Sequence, residues 1–140
     1  MKDISKYIGI PYEFAKWSYE SADCVGLVRL FYSDNHWYPN CDDGVFQKDW
    51  YEKESLRLVR YLAKHWNKTR NPDELQYGDI VYFLINQEGH VGIFLEYGKI
   101  LTTFPPECKQ WDGSILPSTS MILHRCLWEQ GFTAGFKRKE

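Results

Sequence analysis

Apolar residues in the first third of the chain predict one buried helix. After an aromatic, turn-rich stretch from Ile8 to Ala22, apolar positions fill most of the run from Cys24 to Tyr32. Asp23 or Ser21 is a suitable N-cap for a helix that begins at Cys24. The valines in this run keep a strand open as an alternative, and the cap favours the helix.

An amphipathic pattern predicts a second helix from Lys48 to Trp66, after a polar loop from Ser33 to Gly44. The sequence Asn71-Pro72-Asp73 breaks the pattern. Charged residues occupy the predicted solvent side of this helix. Its predicted apolar stripe consists of Leu58, Val59, Leu62, Ala63 and Trp66.

The second half of the chain changes to a pattern typical of strands. Short β-branched and aromatic runs, separated by Gly89 and by Tyr97-Gly98, predict a meander of antiparallel strands. Helices followed by strands without alternation predict an α+β domain, with N-terminal helices packed on a small antiparallel sheet. The predicted strands are Asp79 to Ile85, His90 to Leu95, Lys99 to Phe104, Met121 to Trp128 and Phe132 to Phe136.

The length of 140 residues predicts a single domain over residues 1–140. A net charge of -2 argues against nucleic-acid binding, which needs a concentrated basic surface. No apolar stretch approaches the ~20 residues that span a bilayer, and the N-terminus lacks the apolar run of a signal peptide. We therefore expect cytoplasmic synthesis without a signal peptide, in a compartment that keeps thiols reduced.

The cysteines differ in the chemistry that their positions allow. Cys24, Cys41, Cys108 and Cys126 form no C-x-x-C pair and have no zinc-ligand spacing with the histidines, so we expect no metal, cofactor or disulfide framework. Cys24 lies at a predicted helix N-terminus, which lowers a thiol pKa and supplies N–H groups for an oxyanion. Cys126 lies within a predicted strand and has neither advantage.

A thiolate nucleophile needs a base within hydrogen-bond reach. Of the four histidines, His36 lies in a polar loop, His65 near a helix end and His124 near a strand start. His90 follows Gly89 and opens an apolar strand, so its ring is predicted at the rim of the sheet. Periodicity alone still slightly favours an ordinary structural role for His90.

Four blocks in order resemble the NlpC family of papain-like cell-wall peptidases. The sequence D-C-V-G-L-V from Asp23 to Val28 resembles the family's D-C-x-G-hydrophobic-V signature. G-I-P-Y-E-F from Gly9 to Phe14 is similar to its G-x-P-Y-x-[WF] segment. The segment from Glu74 to Phe83 resembles its E-L-x-x-G-D-hydrophobic-V-x-F strand, and Gly89 to Leu95 resembles its histidine strand, H-V-G-I-Y-L.

The resemblance implies a papain-like fold, a cysteine peptidase activity and a role for each matching residue. Cys24 would be the nucleophile and His90 the general base, then acid. Tyr12 would place its hydroxyl beside the thiol, on the substrate and oxyanion side, and Asp23 would fix the turn before the helix; a plain capping role for Asp23 stays open. The family's third polar residue, most often His, lies twelve positions beyond the base, where this chain has Thr102. A threonine hydroxyl can hold the imidazole tautomer but stabilises an imidazolium less than a carboxylate does.

The resemblance also implies a substrate and partners. The substrate class is the stem peptide of peptidoglycan, cut at an amide next to a γ-linked D-glutamate. The segment from Trp128 to Arg138 looks like family members of tailed phages and prophages, which implies tail-tip proteins as partners and incorporation into a phage tail or virion. Two alternatives stay open: a non-catalytic assembly module of a tail tip with the same fold, which Thr102 supports, and a cysteine amidase or acyltransferase with another substrate.

Overall fold

The chain folds into helices packed on one antiparallel sheet. The computed structural model describes residues 3–40, 55–85, 88–110 and 112–139, with only the backbone for 55–57. The helices are α1 (Cys24–Asp34), α2 (Ser55–His65) and α3 (Arg125–Trp128). The strands are β1 (Asn67–Thr69), β2 (Ile80–Ile85), β3 (Glu88–Phe94), β4 (Ile100–Thr102), β5 (Met121–Leu123) and β6 (Phe132–Lys137).

The described strands form one antiparallel sheet in the order β1-β6-β2-β3-β4-β5. The predicted meander is confirmed from β2 to β5, because each of these strands pairs with the next one along the chain. β6 then crosses back and pairs with both β2 and β1. The pattern did not predict β1, since its three residues, Asn-Lys-Thr, carry no apolar alternation.

The two faces of the sheet cover two separate apolar cores. The core beneath α1, called here the helix-side core, takes from the sheet Ile80, Val91, Ile93, Leu101, Ala134 and Phe136. The core on the opposite face, called here the far-side core, contains Leu75, Val81, Phe83, Ile85, Ile100, Phe104, Cys108, Leu116, Leu123 and Trp128. Because both faces are covered, the central strands are apolar on both sides, unlike a sheet with one wet face.

The buried helix predicted from Cys24 is confirmed as α1, which runs to Asp34. Asp23 is its N-cap, with an extended backbone and a side chain that accepts a hydrogen bond from the Gly26 N–H. Eight of its eleven residues are buried, and seven of them belong to the helix-side core, with Phe31 fully buried. At about 1.5–3 kcal/mol for each large apolar side chain, this burial outweighs the strand preference of the valines.

The second predicted helix is confirmed over Ser55–His65, and residues 48–54 of that prediction lie outside the described part of the chain. Leu58 and Leu62 face the helix-side core, and Trp66 packs there just after the helix ends. Ala63 was placed on the apolar stripe, and this was wrong: it is exposed, because it lies beside the narrow Leu58–Leu62 row. No helix among the described residues is both long and apolar enough to cross a membrane.

The strand predicted from Met121 to Trp128 is wrong in its second half. β5 ends at Leu123, and residues Arg125–Trp128 form α3, with Cys126 exposed on it. The i,i+4 pair of Arg125 with Glu129 and the hydrogen bond from Trp128 Nε1 to the Gly98 carbonyl, 3.0 Å long, hold this turn. A short apolar run does not distinguish the two structures by itself.

Candidate active site

Cys24 is the first residue of α1, and the sequence before it forms the cap. Asp23 Oδ1 accepts a hydrogen bond of 2.7 Å from the Gly26 N–H, and its Oδ2 accepts one of 2.8 Å from the Ala15 N–H. Asp23 is fully buried, so its carboxylate joins the helix start to the preceding segment. Cys24, a residue only 4% exposed, lies at the positive end of the helix dipole, the position that favours a thiolate.

Gly26 permits the close approach of that preceding segment. A Cβ at this position would clash with the carbonyl oxygen of Lys16, which also accepts a hydrogen bond from the Asp23 N–H at 3.2 Å. The glycine of the D-C-x-G sequence therefore has a steric reason in this chain. It lets the backbone at Lys16 lie against the first turn of α1.

Tyr12 lies on the segment that runs beside the entry to α1. The Ala22 N–H donates to the Pro11 carbonyl at 3.0 Å, and the Glu13 N–H donates to the Ala22 carbonyl at 3.3 Å. Tyr12 is half-buried between these two bonds, and its own N–H donates to the Ser118 carbonyl at 2.9 Å. The structure thus brings the backbone at Tyr12 next to the residues that precede Cys24.

Tyr82 is a neighbour of Cys24 that the sequence reasoning missed. It lies on β2, and its pKa is raised by burial and then by the negative charge of a Cys24 thiolate. A Cβ at Gly89 would clash with the Tyr82 hydroxyl, so the ring extends toward that part of β3 on the helix side. The available signal was the alternation along β2, which puts Tyr82 on the same face as Ile80.

His90 lies on the other face of the sheet. It pairs with Phe83 across β2 and β3, and its ring contacts those of Phe83 and Phe104, with centroids 5.8 and 4.9 Å away. Both phenylalanines belong to the far-side core, whereas the adjacent Val91 belongs to the helix-side core. His90 is 4% exposed, and this burial lowers its pKa to about 4.

The thiol of Cys108 is a polar neighbour of the His90 ring. The Cys108 Sγ lies 3.9 Å from His90 Nε2, in the loop that follows β4. Burial, and then the charge of Glu88, raise the pKa of Cys108 to about 11. Donor atoms of Glu88, His90 and Cys108 lie within 4.8 Å of one another, a group with metal-ligand chemistry that sequence spacing did not reveal.

The two threonines at the end of β4 differ in their hydrogen bonds. Thr102 is fully buried, and its hydroxyl donates to the Val91 carbonyl at 2.7 Å, not to the His90 imidazole. The Thr103 hydroxyl is also buried and has no hydrogen-bond partner among the described residues. Thr102 therefore braces β4 against β3 in this structure.

A cavity lies away from Cys24, at the C-terminal end of α1. It holds about 270 Å³ and is lined by rings and cations, among them Trp37, Trp66, His65 and Arg138. The Arg138 guanidinium stacks on Trp37, 3.5 Å from its ring centroid. Since α1 has eleven residues, this cavity is about 15 Å along the helix from Cys24.

These positions divide the predicted site into two groups. Cys24, Asp23 and the backbone at Tyr12 come together at the start of α1, with Tyr82 added. His90 and Thr102 lie on the opposite side of the sheet from α1, and no hydrogen bond joins either of them to Cys24 among the described residues.

A capped helix that begins with cysteine and packs on an antiparallel sheet is the architecture of papain-like thiol peptidases. The chain belongs to the NlpC/P60 family, whose members are cysteine peptidases: the family model matches residues 9–107. That range includes Tyr12, Cys24, His90 and Thr102.

Solved structures of the family share the fold. The NlpC/p60 domain of the peptidoglycan hydrolase SagA superimposes with a TM-score of 0.57 at 15% identity, covering 95% of this chain and 91% of that chain. The P60 domain of an antigen from M. avium subspecies paratuberculosis gives 0.55 at 16% identity, covering 96% and 87%. NlpC1 from Trichomonas vaginalis gives 0.57 at 16% identity; 96% of this chain matches 40% of that one. No curated protein matches the chain in sequence.

Proposed function

We propose that this protein is a cysteine peptidase that cleaves peptidoglycan stem peptides at the amide next to a γ-linked D-glutamate, with Cys24 as the nucleophile. The observation that carries the proposal is the position of Cys24 at the capped N-terminus of α1, within the range matched by the family model. Peptidoglycan is the target named for the similar structure of SagA, which supports the same substrate class here.

The chemistry is acyl transfer in two steps. The Cys24 thiol passes its proton to the imidazole, which becomes imidazolium, and the thiolate attacks the amide carbon. A C–S bond forms, and the oxyanion develops near the N-terminal turn of α1. The C–N bond then breaks, and the leaving amine takes a proton from the imidazolium. Water, deprotonated by the imidazole, attacks the thioester, which releases a carboxylic acid and restores the thiol.

His90 is the base that the family pattern assigns, and its described position sets a condition on the proposal. Side chains alternate between the faces of a strand, so a shift of β3 by one residue against β2 would turn His90 to the face of α1. Gly89 is the β3 residue that now faces Tyr82 there. The proposed activity requires the imidazole to reach that face.

A second candidate function is a non-catalytic module with the same fold. The observation in its favour is that His90 is enclosed beside Cys108, on the face away from Cys24. Cys108 is a poor substitute for the nucleophile. With a pKa of about 11, only about one molecule in ten thousand carries its thiolate at neutral pH.

Mass spectrometry of purified muropeptides, incubated with the wild type and with variants, tests the proposal. Fragments cut within the stem peptide should appear with the wild type and with Cys126→Ala, an exposed control, and disappear with Cys24→Ala. Loss of cleavage in Cys108→Ala but not in Cys24→Ala would make Cys108 the nucleophile and overturn our assignment. No cleavage by the wild type would favour the non-catalytic module, unless a reactive Cys24 thiol pointed to another amide or acyl substrate.

We also propose that the protein acts in or on a phage tail tip, with tail-tip proteins as its partners. The resemblance of the segment from Trp128 to Arg138 to phage-borne family members supports this. In the structure that segment supplies β6, so the similarity covers a strand inside the sheet. Proteomics of purified particles from a host that carries the gene should detect the chain, and its deletion should alter tails or infection; absence of both effects would contradict the proposal.

A further inference from the structure

We propose that Glu88, His90 and Cys108 form a binding site for a transition-metal dication, with Zn²⁺ as its occupant. The site lies on the far-side face of the sheet and is separate from the Cys24 thiol. It shares His90 with the proposed peptidase activity, so a metal bound there and the action of His90 as a base exclude each other. Metal binding is measured without a peptide substrate, so either proposal can fail alone.

Two elements bring the three side chains together. Glu88 and His90 are two residues apart on β3, so their side chains lie on the same face of the sheet. Cys108 lies in the loop after β4. The Cys108 N–H donates a hydrogen bond to the Pro105 carbonyl at 3.3 Å, and the Cys108 carbonyl accepts one from the Leu116 N–H at 2.8 Å. The thiol is therefore fixed by backbone bonds rather than by a flexible chain end.

The separations are close to those that a metal needs. Zn²⁺ bonds of ~2.0–2.1 Å to nitrogen and ~2.3 Å to sulfur, at a tetrahedral angle, put the two donor atoms about 3.6 Å apart. His90 Nε2 and Cys108 Sγ are 3.9 Å apart. All the donor atoms lie within 4.8 Å of one another, and Glu88, which is exposed, has the freedom to close the remaining gap.

The chemistry of the donors suits zinc. One imidazole nitrogen, one sulfur and one carboxylate oxygen are all common zinc ligands, and three protein ligands leave a fourth tetrahedral position for water. Nε2 is the His90 ring atom that faces Cys108 Sγ, so it is the nitrogen that would bind the metal. On binding, the Cys108 S–H bond breaks, a Zn–S bond forms and the proton goes to solvent; zinc keeps its charge, so no oxidant or reductant is required.

The position of Glu88 separates this group from a simple buried His–Cys contact. Its side chain lies on the same face of β3 as His90, and its carboxylate lies within 4.8 Å of the other two donor atoms.

Cobalt substitution in the full chain tests the proposal, because a thiolate bound to Co²⁺ gives a charge-transfer absorption band in the near ultraviolet. Chelator-treated protein titrated with Co²⁺ should develop this band to saturation at one ion per chain, and Zn²⁺ should abolish it by displacement. Isothermal titration with Zn²⁺ should give the same stoichiometry.

Variants assign the ligands. Cys108→Ser should lose the band and bind Zn²⁺ roughly a hundredfold more weakly or worse, since even outer-shell changes cost about 10–100-fold. Glu88→Gln, at an exposed position that folding tolerates, should keep the band but weaken Zn²⁺ binding at least roughly tenfold. Cys24→Ser, Cys41→Ser and Cys126→Ser are the matched thiol controls and should behave as the wild type. The absence of stoichiometric binding, an unchanged Glu88→Gln variant, or loss of the band in a control instead of Cys108→Ser would overturn the proposal.

Discussion

The Sγ of Cys108 lies 3.9 Å from Nε2 of His90, and both side chains are enclosed on the side of the sheet that α1 does not cover. The thiol at the start of α1 therefore has Tyr82 as a neighbour, while the imidazole has a different thiol. Cys24 and His90 are consequently on different sides of the sheet, and substitutions can address the surroundings of each one separately.

The pH dependence of stability should report the burial of His90. Its pKa falls from 6.5 in the unfolded chain to about 4 in the fold, so the unfolded state binds the extra proton between these values. The contribution of neutral His90 to the free energy of unfolding is fully present above pH 6.5 and is lost as the pH falls toward 4. From pH 7 to pH 5 the free energy of unfolding should drop by about 2 kcal/mol.

Urea unfolding with a chelator present, at both pH values, measures this drop. Glu88 and Cys108 are the titratable groups that face the ring, so the comparison variant is His90→Gln, which keeps them both. Subtracting its pH dependence from that of the wild type cancels the contributions of other groups. An equal drop in the variant would mean that His90 is not the group responsible.

The free thiols should differ in reactivity. The pKa of Cys108 rises from 9.0 to about 11, which lowers its thiolate fraction about a hundredfold, and burial slows access further. Cys126 is exposed on α3. Timed alkylation of the native protein, read by peptide mass spectrometry, should therefore modify Cys126 at least about a hundredfold faster than Cys108. In denaturant the two cysteines should react at the same rate. Similar rates in the native protein would contradict the burial of Cys108.

Thr102 and Thr103 should respond in opposite directions to the same substitution. Thr103→Val removes a buried hydroxyl that has no described partner, and it should stabilise the fold by about 1 kcal/mol. Thr102→Val removes the hydrogen bond to the Val91 carbonyl, and it should destabilise by about 1 kcal/mol. Urea midpoints at neutral pH check both, and a shift of the same sign in the two variants would show that packing, not hydrogen bonding, decides the effect.

Gly26→Ala should destabilise the protein although alanine is the better helix former. The added methyl would meet the Lys16 carbonyl oxygen, a rigid backbone atom, so we expect a net loss of roughly 2 kcal/mol. Gly89→Ala is the matched control, because its methyl would meet only the movable tip of the Tyr82 side chain; its loss should be under about 1 kcal/mol. Equal losses in thermal or urea unfolding would show that the close approach at Lys16 is not decisive.

The sequence was sufficient for the features that depend on local order. The cap at Asp23, the helix from Cys24 and the β2–β3–β4 meander follow from capping chemistry and apolar periodicity. The sequence did not predict which face of the sheet His90 occupies. Both faces of β2 and β3 are buried, so the apolar pattern is the same whichever set of alternate side chains faces α1. Val91 and Ile93 alternate with His90, but only the packing of α1 shows which set it covers.

Contacts between distant segments were not predictable from local patterns. Cys108 reaches His90 through a loop, and spacing rules for metal ligands describe fixed short motifs rather than such encounters. The prediction of a strand at α3 was wrong because four residues make little more than one helical turn, which is too short for a helical period to show in the sequence. Its stabilising contacts, to Gly98 and Asp73, come from other parts of the chain.

β6 follows the other described strands along the chain and lies between β1 and β2 in the sheet. During synthesis on a ribosome, β2 therefore waits with one edge unpaired until residues 132–137 have emerged. An unpaired edge of an apolar strand is a template for pairing with another chain. The last of the described strands is thus the one that protects β2 from self-association, and a chain truncated before residue 132 would have a sheet open between β1 and β2.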